Sequence, residues 1–345
     1  MHVALVGAGA IGTILGALLA KAGNDITLVD AYSDHVDAIN KNGVRLIGYL
    51  DETIPVKAVL PQDMSGQYDL IIHLTKQTVL KRSLEQCLEY MHDETVVLCL
   101  QNGIPEELAA SVVGADRVMG GTVSFPATFV EPGCSELTCP AELLGINFGR
   151  LDGEITPKVT EIQKLIETAM PAHVTTNLIG KRYQKLTDNS VFSALPTALN
   201  CAIEPVLNDR FAMEVIAHLG REAGMVIKAL GVTPEEAFGL NPTFENVNFD
   251  NEEQLTHVIE EFWTPIYSPY KSQIGSMLQD IRNEKLCEVD FINGKFIEKG
   301  EELGMDLPYM NKVADIIRKL QIKELPLESA WDNLALFKEL KRITL

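Results

Sequence analysis

Three glycines stand at positions 7, 9 and 12 of Val3-Ala4-Leu5-Val6-Gly7-Ala8-Gly9-Ala10-Ile11-Gly12, directly after a short apolar run. Each has a physical use: Gly7 for a tight turn, Gly9 for close backbone approach to a pyrophosphate, Gly12 for packing of the next helix on the strand. Ala10 and Ile11 complete the turn with Gly12, and the amphipathic helix expected next, Thr13 to Ala22, offers free N–H groups and a positive dipole end to phosphate oxygens. Asp30 closes a second apolar strand, Ile26 to Val29, roughly 20 residues on, where a carboxylate takes up a ribose diol. Together these residues read as a dinucleotide site. The competing reading is a set of glycines that merely permits a strand–helix turn.

Asp30 would repel a 2′-phosphate, and Ala31, Tyr32, Ser33 and Asp34 supply no cation to receive one. The cofactor expected is therefore NAD(H) in preference to NADP(H), unless Lys41 or Arg45 folds back. An N-cap role for Asp30 is compatible with the ribose role.

A second group of polar residues lies far along the chain. Lys185, Asn189 and Ser193 are spaced i, i+4, i+8, which puts them on one face of a helix. By spacing alone, a solvated polar face is the more ordinary reading. Ser276 opens Ser276-Met277-Leu278-Gln279-Asp280-Ile281-Arg282, and Glu288 opens Glu288-Val289-Asp290-Phe291-Ile292-Asn293-Gly294. A straight helix would hold Ser276 and Glu288 roughly 18 Å apart. They can serve one small ligand only if the chain turns between them, near Asn283 to Leu286.

The elements that must position these groups follow from periodicity. Up to about residue 125 the chain alternates strand and helix, the signature of a parallel sheet wrapped by helices. Asp69 to Thr75 and Thr95 to Leu100 are almost continuously apolar, as strands buried on both faces are, and Arg117 to Val123 is a further candidate. Ligands bind at the carboxyl ends of such strands, so Gly7, Asp30, Lys76 and Asn102 are expected to converge. From 125 to about 178, Gly/Pro-punctuated segments are expected to add antiparallel strands. From 179 to 324 the periodicity is helical. The expected organisation is thus an α/β Rossmann-type doubly wound domain over 1–178, an all-helical domain over 179–324, and an amphipathic C-terminal helix over 325–345.

Composition bounds the function. Of 345 residues 29 are basic and 48 acidic, a net charge of −19, which disfavours nucleic acid and anionic membranes as partners. No apolar run reaches the roughly 18–20 residues of a membrane span. A strand starting at residue 2 leaves no room for a signal peptide, so a cytoplasmic location is expected. The six cysteines have no zinc spacing and the seven histidines are scattered, so no metal site is expected. Cys134 and Cys139 both lie just after the Pro132-Gly133 turn, close enough in sequence to meet, but the expected compartment argues against a disulfide.

With these motifs in place, the chain resembles ketopantoate reductase (2-dehydropantoate 2-reductase) and its relatives among 2-oxo-acid reductases, over about residues 1–320. The resemblance rests on G-A-G-A-I-G, Leu74-Thr75-Lys76, Gln101-Asn102-Gly103, Tyr183-Gln184-Lys185-Leu186 with Asn189, and S-M-L-Q-D-I-R with E-V-D-F-I-N-G. It implies reduction of a 2-oxo acid by NAD(P)H to the D-2-hydroxy acid, with ketopantoate to D-pantoate, a step of pantothenate biosynthesis, as the leading reaction. It implies that Lys185 is the general acid, its pKa lowered by desolvation, and that Glu288 orients the substrate. Ser276 and Asn189 match groups that hydrogen-bond the substrate. Asn102 matches an asparagine at the nicotinamide and substrate, and Lys76 a lysine at the cofactor.

Two positions depart from the family pattern. Ser193 replaces an asparagine that would contact the distal hydroxyl end of the substrate. Asp30 stands where NADPH-dependent members place a basic residue nearby. Both favour an alternative, an NAD-dependent D-2-hydroxy-acid dehydrogenase acting on another branched or aromatic 2-oxo acid. A non-catalytic NAD-binding sensor is a rival from another class, but it would not need Lys185 and Glu288 together. The expected arrangement sets the substrate in the cleft between two domains. A homodimer is an expectation from the extra tail.

Overall fold

The computed structural model describes residues 1–237 and 239–340. The chain divides into two compact units: Met1–Gln101 with Pro105–Leu178, and Asn102–Ile104 with the chain from Ile179 onward.

The first unit is built on strands β1 (His2–Val6), β2 (Asp25–Val29), β3 (Val44–Gly48), β4 (Glu52–Ile54), β5 (Lys57–Val59), β6 (Tyr68–His73), β7 (Met91–Cys99), β8 (Val118–Val123), β9 (Ala127–Glu131), β10 (Cys134–Leu137), β11 (Ile146–Arg150) and β12 (Ala172–Val174). Its helices are α1 (Ala10–Lys21), α2 (Ser33–Asn42), α3 (Leu80–Cys87), α4 (Glu106–Val113) and α5 (Pro157–Glu167). Eight strands form one sheet in the order β12-β11-β8-β7-β6-β1-β2-β5. All its pairings are parallel except β11 with β8. The sheet is buried on both faces because β1 is apolar at every position after His2. Val3 and Leu5 pack with Ile14, Leu15 and Leu18 of α1, while Ala4 and Val6 pack with Leu80 and Leu84 of α3 and Ala109 of α4. Chain order reverses between β1 and β6, the position at which doubly wound sheets open a crevice.

The segments after residue 125 differ in part from expectation. β11 does join the main sheet antiparallel, but β9 and β10 leave it. They form a separate sheet, β4-β3-β10-β9, in which β10 runs parallel to β3 and antiparallel to β9.

The second unit is helical: α6 (Leu178–Asp188), a π-helical segment Asn189–Ser193, α7 (Ala194–Ala198), α8 (Ile203–Leu207), α9 (Arg210–Ala229), α10 (Phe244–Val247), α11 (Glu252–His257), a second π segment Val258–Trp263, α12 (Thr264–Tyr267), α13 (Ser276–Arg282), α14 (Val289–Glu302) and α15 (Pro308–Gln321). Its centre is α9, with Val215, Ile216, Leu219, Ala223 and Val226 all inaccessible. Asp209 caps the start of α9 by accepting the Ala212 N–H at 2.9 Å. Glu222 of α9 accepts the N–H groups of Tyr309 and Met310, at 2.9 and 2.7 Å, and so caps α15. The fold class is the one expected, a Rossmann-type α/β sheet followed by helices.

Of the amphipathic α-helix expected over 325–345, the stretch Ala330–Phe337 is instead a run of 3-10 turns, residues 338–340 are α-helical, and residues 341–345 lie outside the described residues. The buried Asn333 donates to the Ala198 carbonyl at 3.0 Å, and it lies one 3-10 turn from buried Ala330. Trp331 and Leu336 face solvent. Among the described residues, no helix is long and apolar enough to cross a membrane, no group of His, Cys, Asp and Glu suits a metal, and the six cysteines are unbridged.

Candidate functional site

In the first unit the glycine turn sits against the end of β6. Gly7 has φ +95, a conformation L side chains rarely adopt, and a Cβ there would lie 2.5 Å from the Thr75 nitrogen. Its own N–H donates to the Val29 carbonyl at 2.8 Å, and Leu74 donates to Val6 at 2.8 Å. The carboxyl ends of β1, β2 and β6 are thereby tied together, with Lys76 exposed directly after Thr75. A Cβ on Gly12 would collide with the Gly7 carbonyl, so α1 lies on the turn itself. Gly9 is the opposite case. It is exposed, and a Cβ there would meet no atom within 4 Å. The first helical hydrogen bond is Thr13 N–H to Gly9 carbonyl, 2.8 Å, so the N–H groups of Ala10, Ile11 and Gly12 have no acceptor within the helix.

Two histidines hold this turn, and neither was read from the sequence. His35 on α2 accepts the Gly133 N–H at Nδ1 (2.9 Å), which leaves the proton on Nε2, 3.2 Å from Thr13 Oγ1. Thr13 Oγ1 donates onward to the Ala8 carbonyl at 2.7 Å. Burial pushes the His35 pKa down, against the opposing pull of Asp30, and keeps the ring neutral. His73, at the end of β6, accepts from Gln101 Nε2 at Nδ1 (2.8 Å) and donates from Nε2 to Ser83 Oγ (3.0 Å). Burial lowers its pKa to about 3.

Asp30 follows β2 directly. Its Oδ1 accepts the Tyr32 N–H at 2.9 Å, an Asx turn that fixes the carboxylate and leaves Oδ2 without a partner among the described residues. Arg45, one of two cations able to change the cofactor reading, is ion-paired with Asp51.

In the second unit, Lys185 lies in the last turn of α6 and Asn189 begins the π segment, so the single α-helical face expected for Lys185, Asn189 and Ser193 is not continuous. An α-helix advances about 100° per residue, so two four-residue steps drift the same way by about 80°. The wider i→i+5 turn takes more residues around, and its four-residue step drifts back. Ser193 is thus carried towards the Lys185 side. Asn293, from E-V-D-F-I-N-G, donates to the Ser190 carbonyl of this segment at 2.9 Å and is fully buried. The Asn189 Nδ2 and Ser193 Oγ atoms are buried without a hydrogen-bond partner among the described residues. Gly275 packs on Ser193 so tightly that a Cβ would collide with Ser193 Oγ.

Lys185 Nζ donates to Asp188 Oδ2 at 2.8 Å. The expectation that desolvation lowers the lysine pKa is corrected here. The Asp188 charge raises it, outweighing burial, and Lys185 stays an ammonium. Ser276 is the first residue of α13 and is exposed, and Glu288 precedes α14 and is 4 % exposed. The chain turns between them, with Glu284 at φ +56, as one ligand served by both would require. Arg282 from the same motif binds the Oδ1 and carbonyl oxygen of Asn200, at 2.9 and 3.2 Å, and holds that residue at φ +51. Asn102, with Gly103 and Ile104, belongs to the helical unit, where Ile104 joins the core.

Comparison with known proteins gives one answer. The family model "Ketopantoate reductase PanE/ApbA" matches residues 3–152, and its C-terminal companion matches residues 177–321. A 2-dehydropantoate 2-reductase of Lactococcus lactis subsp. lactis is 29% identical over 322 residues, covering 92% of this chain and 97% of the relative. One of Streptococcus pyogenes serotype M1 is 27% identical over 318 residues with the same coverage. Among solved structures, D-mandelate dehydrogenase with NADH and anilino(oxo)acetate superposes with a TM-score of 0.79 at 24% identity, covering 94% of this chain and 99% of that one. That likeness shows a shared fold.

Proposed function

Since the chain belongs to the ketopantoate reductase PanE/ApbA family, and is an oxidoreductase using a nicotinamide cofactor, we propose that it reduces a 2-oxo acid to the D-2-hydroxy acid with NADH, ketopantoate being the leading substrate. The observation that carries this reading is in the helical unit. A charged Lys185 is held in place, and two buried polar atoms nearby in sequence, Asn189 Nδ2 and Ser193 Oγ, have no partner among the described residues. Buried polar groups are costly unless something satisfies them, and a polar acid substrate would do so.

The nucleotide unit fits the cofactor: Gly9 leaves its Cβ side open, and the start of α1 offers N–H groups to a pyrophosphate. Asp30 Oδ2 would accept a ribose hydroxyl and repel a 2′-phosphate, and Lys76 would lie at the cofactor. The bound cofactor supplies the hydride for the carbonyl carbon. Lys185 gives one proton from Nζ to the carbonyl oxygen and stabilises the negative charge developing there. It then regains a proton from water, so one hydride and one proton convert the ketone to the alcohol. Glu288 orients the substrate beside Lys185, while Asn102, Asn189, Ser193 and Ser276 bind it.

The second reading, another branched or aromatic 2-oxo acid, rests on Ser193. Packed against Gly275, it leaves little space for the longer asparagine of the family pattern. Steady-state reduction of ketopantoate, 2-oxoisocaproate and phenylglyoxylate with both coenzymes decides. A kcat/KM for ketopantoate well below the others rejects the pantoate reading, and a preference for NADPH rejects the assignment of Asp30.

A further inference from the structure

Asp188 and Tyr267 have no place in the reading so far, yet they bracket the proposed acid. Asp188 spends one carboxylate oxygen on each neighbour: Oδ2 on Lys185 Nζ at 2.8 Å, and Oδ1 on the Tyr267 hydroxyl at 2.6 Å. Tyr267 reaches it from 79 residues away and cannot move easily. Its ring stacks on Phe192 with centroids 3.4 Å apart and planes 15° apart, and Trp263, with no exposed surface, lies beside both rings. Phe192 belongs to the π segment that also carries Asn189 and Ser193. One stacked pair therefore fixes the carboxylate and the proposed substrate-binding segment together.

We propose that Asp188, locked by Tyr267, is a positioning residue that holds the Lys185 ammonium in one orientation for proton delivery. The inference rests on the reductase reading above. Lys185 carries three N–H bonds. With one bound to Asp188, the direction of the other two is restricted before any substrate arrives, which is where catalysis by orientation comes from. The groups that face this charge are Asp188 on its own turn, with Tyr267 and Tyr270 from the segment after Trp263. Glu288 joins them in the proposed site. Burial and the Asp188 charge push the Tyr267 hydroxyl well above its ordinary range, so it remains a donor.

Two effects oppose each other when the anion is removed. A lysine without its carboxylate is a stronger acid, which favours proton transfer, but it is no longer aimed. Misplacement by about 1 Å costs on the order of 100-fold in rate, so orientation wins. Asp188→Asn, which keeps the shape and an acceptor for Tyr267, is expected to lower kcat about 10- to 100-fold with KM changed less than about threefold. The alkaline limb of its kcat/KM profile moves to lower pH, because the ammonium has lost the charge that retained its proton. Tyr267→Phe, which leaves the anion in place, lowers kcat several-fold without moving that limb downward. Asp188→Asn with wild-type kcat and an unmoved limb overturns the proposal. If Asp188→Asn does not fold, Tyr267→Phe decides, and wild-type kcat in it overturns the proposal.

A direct titration separates this from failure of the reductase reading. Lysines of the intact protein are reductively methylated with 13C, and the Lys185 signal is assigned with Lys185→Arg. The Lys185 midpoint is expected above that of exposed lysines in the wild type and lower in Asp188→Asn. A wild type that reduces no 2-oxo acid but shows this titration refutes the reaction and keeps the pairing. Equal midpoints in the two proteins refute the pairing whatever the activity.

Discussion

Changing Gly9 and Gly12 to alanine, separately, divides the work of the glycine turn into binding and packing. Gly9 has φ −66 and ψ −161, ordinary for alanine, and its new methyl group would meet no atom within 4 Å. Alanine restricts the unfolded chain, which stabilises by roughly 0.4–1 kcal/mol. Loss of a favoured N-cap residue costs roughly 0.5–1 kcal/mol. These nearly cancel, so Gly9→Ala is expected to melt within about 2–3 °C of the wild type. The methyl group does occupy the side on which a pyrophosphate would approach. Loss of one charge-assisted hydrogen bond there, about 1.5–3 kcal/mol, weakens NADH binding roughly 10- to 150-fold. Gly12→Ala reverses the pattern, because its methyl group strikes the Gly7 carbonyl and backbone must shift. Overpacking of this kind costs about 1–3 kcal/mol, a fall of several degrees. Thermal melts give the first quantity and calorimetric titration with NADH the second. A folded Gly9→Ala that binds NADH as tightly as the wild type refutes the placement of the pyrophosphate.

Three further outcomes test other parts of the molecule. Lys185→Ala should lose about 100- to 10,000-fold in kcat while NADH affinity stays within about twofold, and unchanged turnover removes Lys185 from the chemistry. Asp30→Ala should narrow the preference for NADH over NADPH, read as the ratio of kcat/KM values; an unaltered ratio shows that the ribose is held elsewhere. His73 is neutral in the fold, with a pKa near 3, and titrates at 6.5 when free, so the unfolded chain binds the extra proton between these values. Its contribution to stability is present above pH 6.5 and lost on acidification towards 3. His73→Gln should therefore show a shallower fall in Tm between pH 6.5 and 4, and parallel curves for the two proteins contradict the assignment.

What could be read from the sequence is what local pattern encodes. The central strands of the sheet are continuous apolar runs, and helix length showed that Ser276 and Glu288 could serve one ligand only if the chain turned between them. The glycine turn was legible because each glycine has its own steric reason. Asp188 carried a weak signal, three residues after Lys185, where helix neighbours meet. Tyr267 carried none, because its contact with Asp188 spans 79 residues and depends on how Phe192 and Trp263 stack. His35 and Gly133 are 98 residues apart and meet only because β9 and β10 leave the main sheet. The lysine pKa was misjudged for a related reason: burial was foreseen, but the sign was set by one neighbouring carboxylate. Between Ala330 and Phe337 the tail departs from the expected α-helix, which its apolar spacing suits, because Asn333 anchors that stretch in 3-10 turns.

The π segment at Asn189–Ser193 also has a consequence for how this chain can change over time. Its alignment of polar groups is encoded in the count of residues rather than in their identity. Loss of a single codon there would relax the helix to its ordinary pitch and swing everything beyond it by about 100°, whichever amino acid was lost. Substitutions at Ser193 can retune which acid is accepted one step at a time, but a change of length offers no small step. The carbonyl of Ser190, held by Asn293, would be the first bond to break. The stretch should therefore tolerate varied letters and a single length.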